Sequence, residues 1–423
     1  MTRPAAGRVL PAGTAALLAS LYLAQGLPYG FFTQALPVVL RDSGFSLVAI
    51  GATGVLFAPW ALKFLWAPAV DRYGTRRRWL LTLQLLTAAV MLGLAGLDLS
   101  HTFRWLLVGV AVVNLLSATQ DVATDGLAVR LLSPTQRGLG NAIQVGAYRI
   151  GMIIGGGALL WLFALAGWRL LFLTMAVLLV LTTIPVWVSR RAREDAGVAH
   201  PAGAAHPARP ARFVVTQWWS RLRRPGVVVF LLLVGAFKFG DSMASSMVGP
   251  FMTDVGLTLA QIAWVKGALS SIGALAGAAA GGWLCHRFGR RTALLLGGVT
   301  QTASLALYVL ASLGVGGFGL IVSASLAEHV LGGAATVAVF TLMMDASDPD
   351  HAGSDYTLFA SAVVVVQGLA GFAAGAVGDL AGYPALFGTG LVLSGLGCAA
   401  LVLAVDRGAG PDGVRAVWHP GRT

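Results

Sequence analysis

The chain has 423 residues, 57% of them hydrophobic and 11% charged, with a net charge of +12. Soluble globular domains carry about 25% charged residues, so this composition excludes a soluble enzyme and a disordered chain. The charge is not a nucleic-acid signal either, because the basic residues stand in short blocks between apolar runs, the arrangement that orients membrane segments. Cys285 and Cys398 both fall inside apolar runs, leaving no disulfide framework and no cysteine-spaced metal site.

A helix needs about 20 apolar residues to cross a ~30 Å hydrocarbon core. Twelve runs meet this requirement, so the expected fold is an all-α polytopic membrane protein. The first six are 13–40, 46–70, 79–97, 104–131, 139–166 and 168–188. The second six are 227–252, 257–285, 292–312, 318–344, 355–377 and 383–405. With both termini inside, only Arg41, Arg104 and Arg169 among the loop arginines face outward, a strong positive-inside pattern. The apolar run after Arg3 and Arg8 continues to Leu40, which reads as a first span rather than a cleaved signal peptide.

The expected division is a six-helix bundle over 1–189, a cytoplasmic linker over 190–226, a second six-helix bundle over 227–405 and a cytoplasmic tail over 406–423. The linker stretch 196–210 is Ala, Pro, Gly and His, and reads as flexible. Residues 213–224 read as a short interfacial helix with Trp218 and Trp219 at headgroup depth.

The chain repeats at an offset of 215. Asp71-Arg72-Tyr73-Gly74-Thr75-Arg76 recurs as His286-Arg287-Phe288-Gly289-Arg290-Arg291, Pro134 as Pro349, and Gly138 as Gly353. A looser match joins 42–47 to 254–259. Landmarks recurring in order in two six-span halves imply two bundles related by an axis along the membrane normal, with substrate near the midplane between them.

The 71–77 block resembles the signature loop of the major facilitator superfamily, as does its echo from Gly282 through Arg291, where His286 stands in place of the usual Asp. Further stretches resemble the AmpG-like branch of that superfamily: 62–68 (LKFLWAP), 118–125 (ATQDVATD), 148–152 (YRIGM) and 238–241 (KFGD). Residues 21–32 (LYLAQGLPYGFF) and 353–357 (GSDYT) look most like siderophore permeases of the rhizobactin/pyochelin type. The resemblance implies a bacterial inner-membrane permease working by alternating access. It also implies that the repeated loops act as conformational latches through Asp71, Arg72, Gly74, Arg76, Gly282, Arg287, Gly289 and Arg291.

Lys63, Asp121, Asp125, Arg149, Lys238, Asp241, Lys266, Glu328 and His329 lie inside predicted spans. Each ionisable group at the bilayer centre costs at least ~2.5–3.5 kcal/mol on insertion scales, so these imply an aqueous pathway or internal pairing. Asp121 and Arg149 stand equally far from the turn at Thr135, hence at equal depth in the hairpin, and Asp125 lies one helical turn from Asp121 on the same face. The expected pairing is Arg149 with these two acids. Asp241 at i+3 is the simplest partner for Lys238. Lys63 and Lys266 line the pathway or snorkel to an interface. Glu328 beside His329 suits proton coupling or is a hydrogen-bonded neutral acid. Gln25, Tyr29, Phe32 and Gln34 on the first span, Gln120 on the fourth, and Asn141, Gln144 and Tyr148 on the fifth line the cavity or make packing hydrogen bonds.

No GxxxxGK[ST] loop is present, so the proton gradient rather than ATP is the expected energy source. No cofactor or metal is expected, and the partners are a small-molecule substrate, protons and the bilayer, with the protein a monomer. The favoured substrate is a ferri-siderophore. The alternatives are a muropeptide or an acyl-CoA or other organic anion. A non-transporting sensor and a membrane-embedded transferase are the rivals of another class; no Ser-His-Asp spacing or HExxH motif supports the latter.

Overall fold

The computed structural model of the chain describes residues 10–36, 40, 53, 56, 58–97, 103–190, 218–258, 261–262 and 264–418. In lipid every backbone N–H and C=O must be satisfied within its own segment, and the apolar runs accordingly form helices. In chain order these are α1 (Ala12–Gly30), α2 (Ala58–Leu62), α3 (Ala67–Arg72), α4 (Arg76–Ala95), α5 (Phe103–Leu131) and α6 (Arg137–Ile153). They continue with α7 (Leu159–Val188), α8 (Val227–Asp254), α9 (Ser270–Ser312), α10 (Gly317–Ala346), α11 (Ala352–Asp406) and α12 (Asp412–Trp418).

Among the described residues nine segments are long and apolar enough to cross a membrane, and two of them, Trp264–Ser312 and Pro349–Asp406, are of double length. Each double segment reverses at one glycine in the left-handed region, Gly289 at φ +80° and Gly382 at φ +77°. The described helices therefore hold eleven crossings. The predicted second span, 46–70, is described mainly in its later part, through α2, the 3-10 turn Lys63–Leu65 and α3. The 42–47 half of the looser repeat match, the 196–210 stretch and the beginning of the interfacial helix lie outside the described residues, as does the side chain of Gln34. Residues 218–222 are helical, as the interfacial reading expects.

Large apolar side chains point outward along the whole belt; Leu380 is 88% and Phe372 82% exposed. Exposure on this scale fits a hydrocarbon surround and not water.

Small residues set the helix spacing. α1 lies against α6 backbone to backbone: a Cβ on Gly151 would stand 2.5 Å from the Leu23 carbonyl oxygen and 2.9 Å from the Gly26 Cα. Close approach through small residues is the usual means of helix association in lipid, and here it delivers Tyr29 and Tyr148 to one place. Gly155, Gly156 and Gly157 lie in a π-helical turn over Ile154–Ala158.

The sequence repeat is a structural one. Gly74 (φ +74°) and Gly289 (φ +80°) make the same left-handed turn in the two copies. Gly138 and Gly353 both sit where a helix start meets the other half of the chain. A Cβ on Gly353 would lie 2.8 Å from Asp71 Oδ1, and one on Gly138 would meet Gly282 and Cys285.

Candidate functional site

The intramembrane charges of the first half gather around α5. Lys63, on the 3-10 turn after α2, pairs with Asp121, and both are buried. Asp125, 2% exposed, accepts at Oδ1 from the Tyr22 hydroxyl (2.9 Å) and from Gln144 Nε2 (3.4 Å). Gln25 Nε2 donates to Thr124 Oγ1 at 2.9 Å, and Gln120 is buried beside this cluster with Nε2 unpaired among the described residues. Arg149 makes no ion pair among the described residues; its electrostatic neighbours are Tyr29 and Tyr148. The expected pairing of Arg149 with Asp121 and Asp125 is therefore wrong. Equal depth in a hairpin does not fix the rotation of the two helices, and Lys63 arrives from a third segment to take Asp121.

Tyr29 and Tyr148 stand with ring centroids 5.5 Å apart, and Trp60 of α2 meets Tyr29 edge-on at 5.7 Å. Trp60 Nε1 donates to Asn114 Oδ1 at 3.0 Å, while Lys63 Nζ lies 5.6 Å from the Trp60 ring centroid. Trp60, Tyr29, Tyr148 and Arg149 are all partly exposed.

In the second half Lys238 donates to Asp241 at 2.8 Å and to Thr336 Oγ1 at 3.4 Å. Position 336 is the repeat counterpart of Asp121, so the two halves build their lysine–carboxylate pairs from different helices. Glu328 is buried and accepts from the Ser245 hydroxyl and from Tyr308 (3.0 Å), with His329 Nδ1 at 3.5 Å and also 2.8 Å from the Ser325 carbonyl oxygen. Lys266 is exposed on the π-helical turn Trp264–Leu269 before α9. Phe32 is buried in an apolar cluster with Phe31 and Leu36.

At the arginine-rich face the halves are tied together. Asp71 accepts from Arg76 (2.8 Å) and, across the halves, from both the backbone N–H and the hydroxyl of Ser354 at 2.7 Å, capping the start of α11. The counterpart position is His286, and a different device replaces the cap there. Asp345 accepts from Arg137 of the other half (2.8 Å) and from Arg290 (2.7 Å), while Arg290 also donates to the Pro134 carbonyl oxygen. Arg130 donates to the Pro349 carbonyl oxygen at 2.7 Å, and Arg291 binds Asp406 through two bonds. Arg72 and Arg287 are exposed over Tyr73 and Phe288. Gly282 lies within α9 against α6 rather than in a loop. Asn141 belongs to this face too, donating to Thr341 Oγ1 and the Arg137 carbonyl oxygen, the packing hydrogen bond of its two expected roles.

The linker helix joins this network, for Arg221 pairs with Asp355 and Arg224 reaches Asp348 (3.0 Å) and Asp355 (3.2 Å). Burial pushes the Asp348 carboxyl up, but the Asp350 N–H, Arg224 and His351 together hold it below the ordinary carboxylate value. Sequence reasoning missed Trp60, Arg137, Arg290, Ser354 and Asp345. Trp60 carries no signal beyond an aromatic in an apolar run, and the others stand at span ends, where polar residues are ordinary.

An apolar cavity of about 740 Å³ opens between α8 and α11, with Phe64, Phe239 and Val365 in its wall and Ser361 its sole polar residue. It offers a polar solute little, and the charged and aromatic cluster above is the better candidate site.

Eleven described crossings, buried ion pairs within them and one face tied shut across two repeated halves are the architecture of a transporter. A family model described as Major Facilitator Superfamily matches residues 18–363 and 238–418. The chain belongs to that superfamily. It is 30% identical over 372 residues to a Haemophilus influenzae protein of unassigned function, covering 84% of this chain and 86% of that one. It is 28% identical over 375 residues to the anhydromuropeptide permease of Escherichia coli K12, covering 87% of this chain and 75% of that one. Among solved structures, the proton:xylose symporter XylE matches with a TM-score of 0.70 at 11% identity, covering 96% and 99% of the two chains. A bacterial homologue of ferroportin in an outward-facing state matches at 0.68 and 16% identity, covering 94% and 100%. At these identities the structures speak for the fold alone. The relatives place the chain with AmpG-like transporters and lend no support to the expected nearness to siderophore permeases.

Proposed function

We propose that this protein imports an anhydromuropeptide-like organic anion across a bacterial inner membrane, coupled to protons. The observation that carries the substrate class is the similarity to anhydromuropeptide permease over most of both chains. The expected ferri-siderophore cargo rests on two short stretches and is the weaker reading. The positive-inside rule supports cytoplasmic termini and a cytoplasmic arginine-rich face, so the tied face makes this an outward-facing state of an alternating-access cycle. The two bundles, 1–189 and 227–405, rock about that face, with 190–226 as linker and 406–423 as tail. Asp125 and Glu328, buried carboxyls bonded to neutral donors, are the candidate proton carriers.

The test is uptake of radiolabelled anhydromuropeptide by energised cells lacking their own permease for it, beside a panel of iron-55 siderophore chelates, with and without a protonophore. Accumulation of anhydromuropeptide that collapses with the protonophore supports the reading. Uptake of a chelate instead overturns the substrate, and accumulation insensitive to the protonophore overturns the coupling.

A further inference from the structure

Three helices converge on one partly exposed cluster in the first half, and its chemistry narrows the cargo proposed above, on which this inference rests. Tyr29, Trp60 and Tyr148 present rings at centroid separations of 5.5 and 5.7 Å, inclined rather than stacked flat on one another. All three side chains are partly exposed. Trp60 is held by its bond to Asn114, and Tyr29 and Tyr148 by the glycine contact of α1 with α6, so the platform is preformed. Beside it stands Arg149. Lys63 and Lys238 are each neutralised by a carboxylate, whereas Arg149 meets none among the described residues.

A guanidinium kept at membrane depth without a counter-ion is costly, and its planar fork matches a carboxylate through two parallel bonds. The negative face of an aromatic ring accepts the weakly positive C–H edges of a sugar ring. We infer that Tyr29, Trp60, Tyr148 and Arg149 form a subsite for a carbohydrate ring carrying a carboxylate, the rings taking the sugar face and Arg149 the acid. A small carboxylate with no ring would leave the platform unused, and a neutral sugar would leave Arg149 without an anion.

The experiment is saturation-transfer NMR on the purified full chain in nanodiscs, with three probes: N-acetylmuramic acid, N-acetylglucosamine and lactate. The wild type is expected to bind N-acetylmuramic acid at least about tenfold more tightly than either other probe, the scale of a charge-assisted hydrogen bond. Arg149→Gln should remove the preference over N-acetylglucosamine while leaving N-acetylglucosamine binding within about twofold, and Arg149→Lys should restore part of it. Trp60→Leu should weaken both sugars, and Trp60→Phe should rescue them. Equal binding of the three probes by the wild type, or an unchanged preference in folded Arg149→Gln, overturns the subsite. Anhydromuropeptide uptake unaffected by Arg149→Gln and Trp60→Leu also overturns it, while leaving the proposed function standing. An Arg149-dependent preference without anhydromuropeptide uptake supports the subsite and overturns the cargo.

Discussion

Replacing Arg137 by Gln isolates one bond of the latch. Asp345 is 2% exposed and shared by Arg137 and Arg290, one from each half of the chain. Arg290 lies in the same half as Asp345, so its bond survives opening of the face, whereas the 2.8 Å bond from Arg137 exists only while the face is shut. Arg137→Gln therefore removes a cross-half bond and leaves Asp345 still paired. A hydrogen bond to a charged group contributes ~1.5–3 kcal/mol, and each ~1.4 kcal/mol is tenfold in an equilibrium. The shut-to-open ratio should fall by about ten- to a hundredfold. Arg415→Gln is the control, because it pairs within one short helix with Asp412, which is 96% exposed, and such surface pairs contribute at most ~1 kcal/mol. Spin labels at the exposed positions Arg72 and Arg287, one per half, would report the opening by electron–electron distance measurement in nanodiscs. Equal effects of the two substitutions, or an unchanged distance distribution in folded Arg137→Gln, would refute the reasoning.

Further outcomes follow from the other clusters. Lys63→Met leaves Asp121 as a buried lone charge and should destabilise by ~3–5 kcal/mol, whereas Lys63→Met with Asp121→Leu should recover most of the melting temperature but not uptake. Glu328→Gln keeps its hydrogen-bond partners and loses the ionisable group; if Glu328 carries the coupling proton, accumulation disappears while counterflow exchange persists, and retained accumulation rejects that role. Gly151→Leu should separate α1 from α6 and abolish uptake in a protein that still reaches the membrane, read by fluorescence-detected chromatography beside transport. The lowered Asp348 carboxyl keeps its charge above the ordinary value near ~4 and loses it only as pH falls further. Arg224→Gln should accordingly change uptake by the same factor at pH 6 and pH 8, and a pH-dependent factor would show that another group titrates in this contact.

The membrane fold was legible because its two strongest signals are long-range in the sequence: apolar runs of spanning length, and glycines and charges repeated at a fixed offset. Gly74 and Gly289 turn alike because each copy needs the same left-handed residue. The i+3 pairing of Lys238 with Asp241 was legible for a simpler reason, since one helix fixes both positions. Pairing across helices was not. Depth along a hairpin says nothing about which way each helix is turned, and the 3-10 turn that points Lys63 at Asp121 leaves no mark in the hydropathy pattern. Asp345 was hidden by its ordinary position at a helix end; its significance appears only when two arginines, far apart in sequence, close on it.

The sharing of Asp345 also shapes the way out. While the face is shut, both guanidiniums share one carboxylate and their surplus charge is packed inside the seam. Parting the halves strips Arg137 of its counter-charge, while Asp71 keeps Arg76 and Asp345 keeps Arg290, so the vestibule gains an uncompensated guanidinium that the closed seam had covered. A departing anion thus meets an exit that attracts it, so its escape is a desorption step as well as a diffusion step. Chloride and other mobile anions of the cytoplasm compete for those guanidiniums, which makes cargo release, rather than cargo capture, the stage most sensitive to ionic strength.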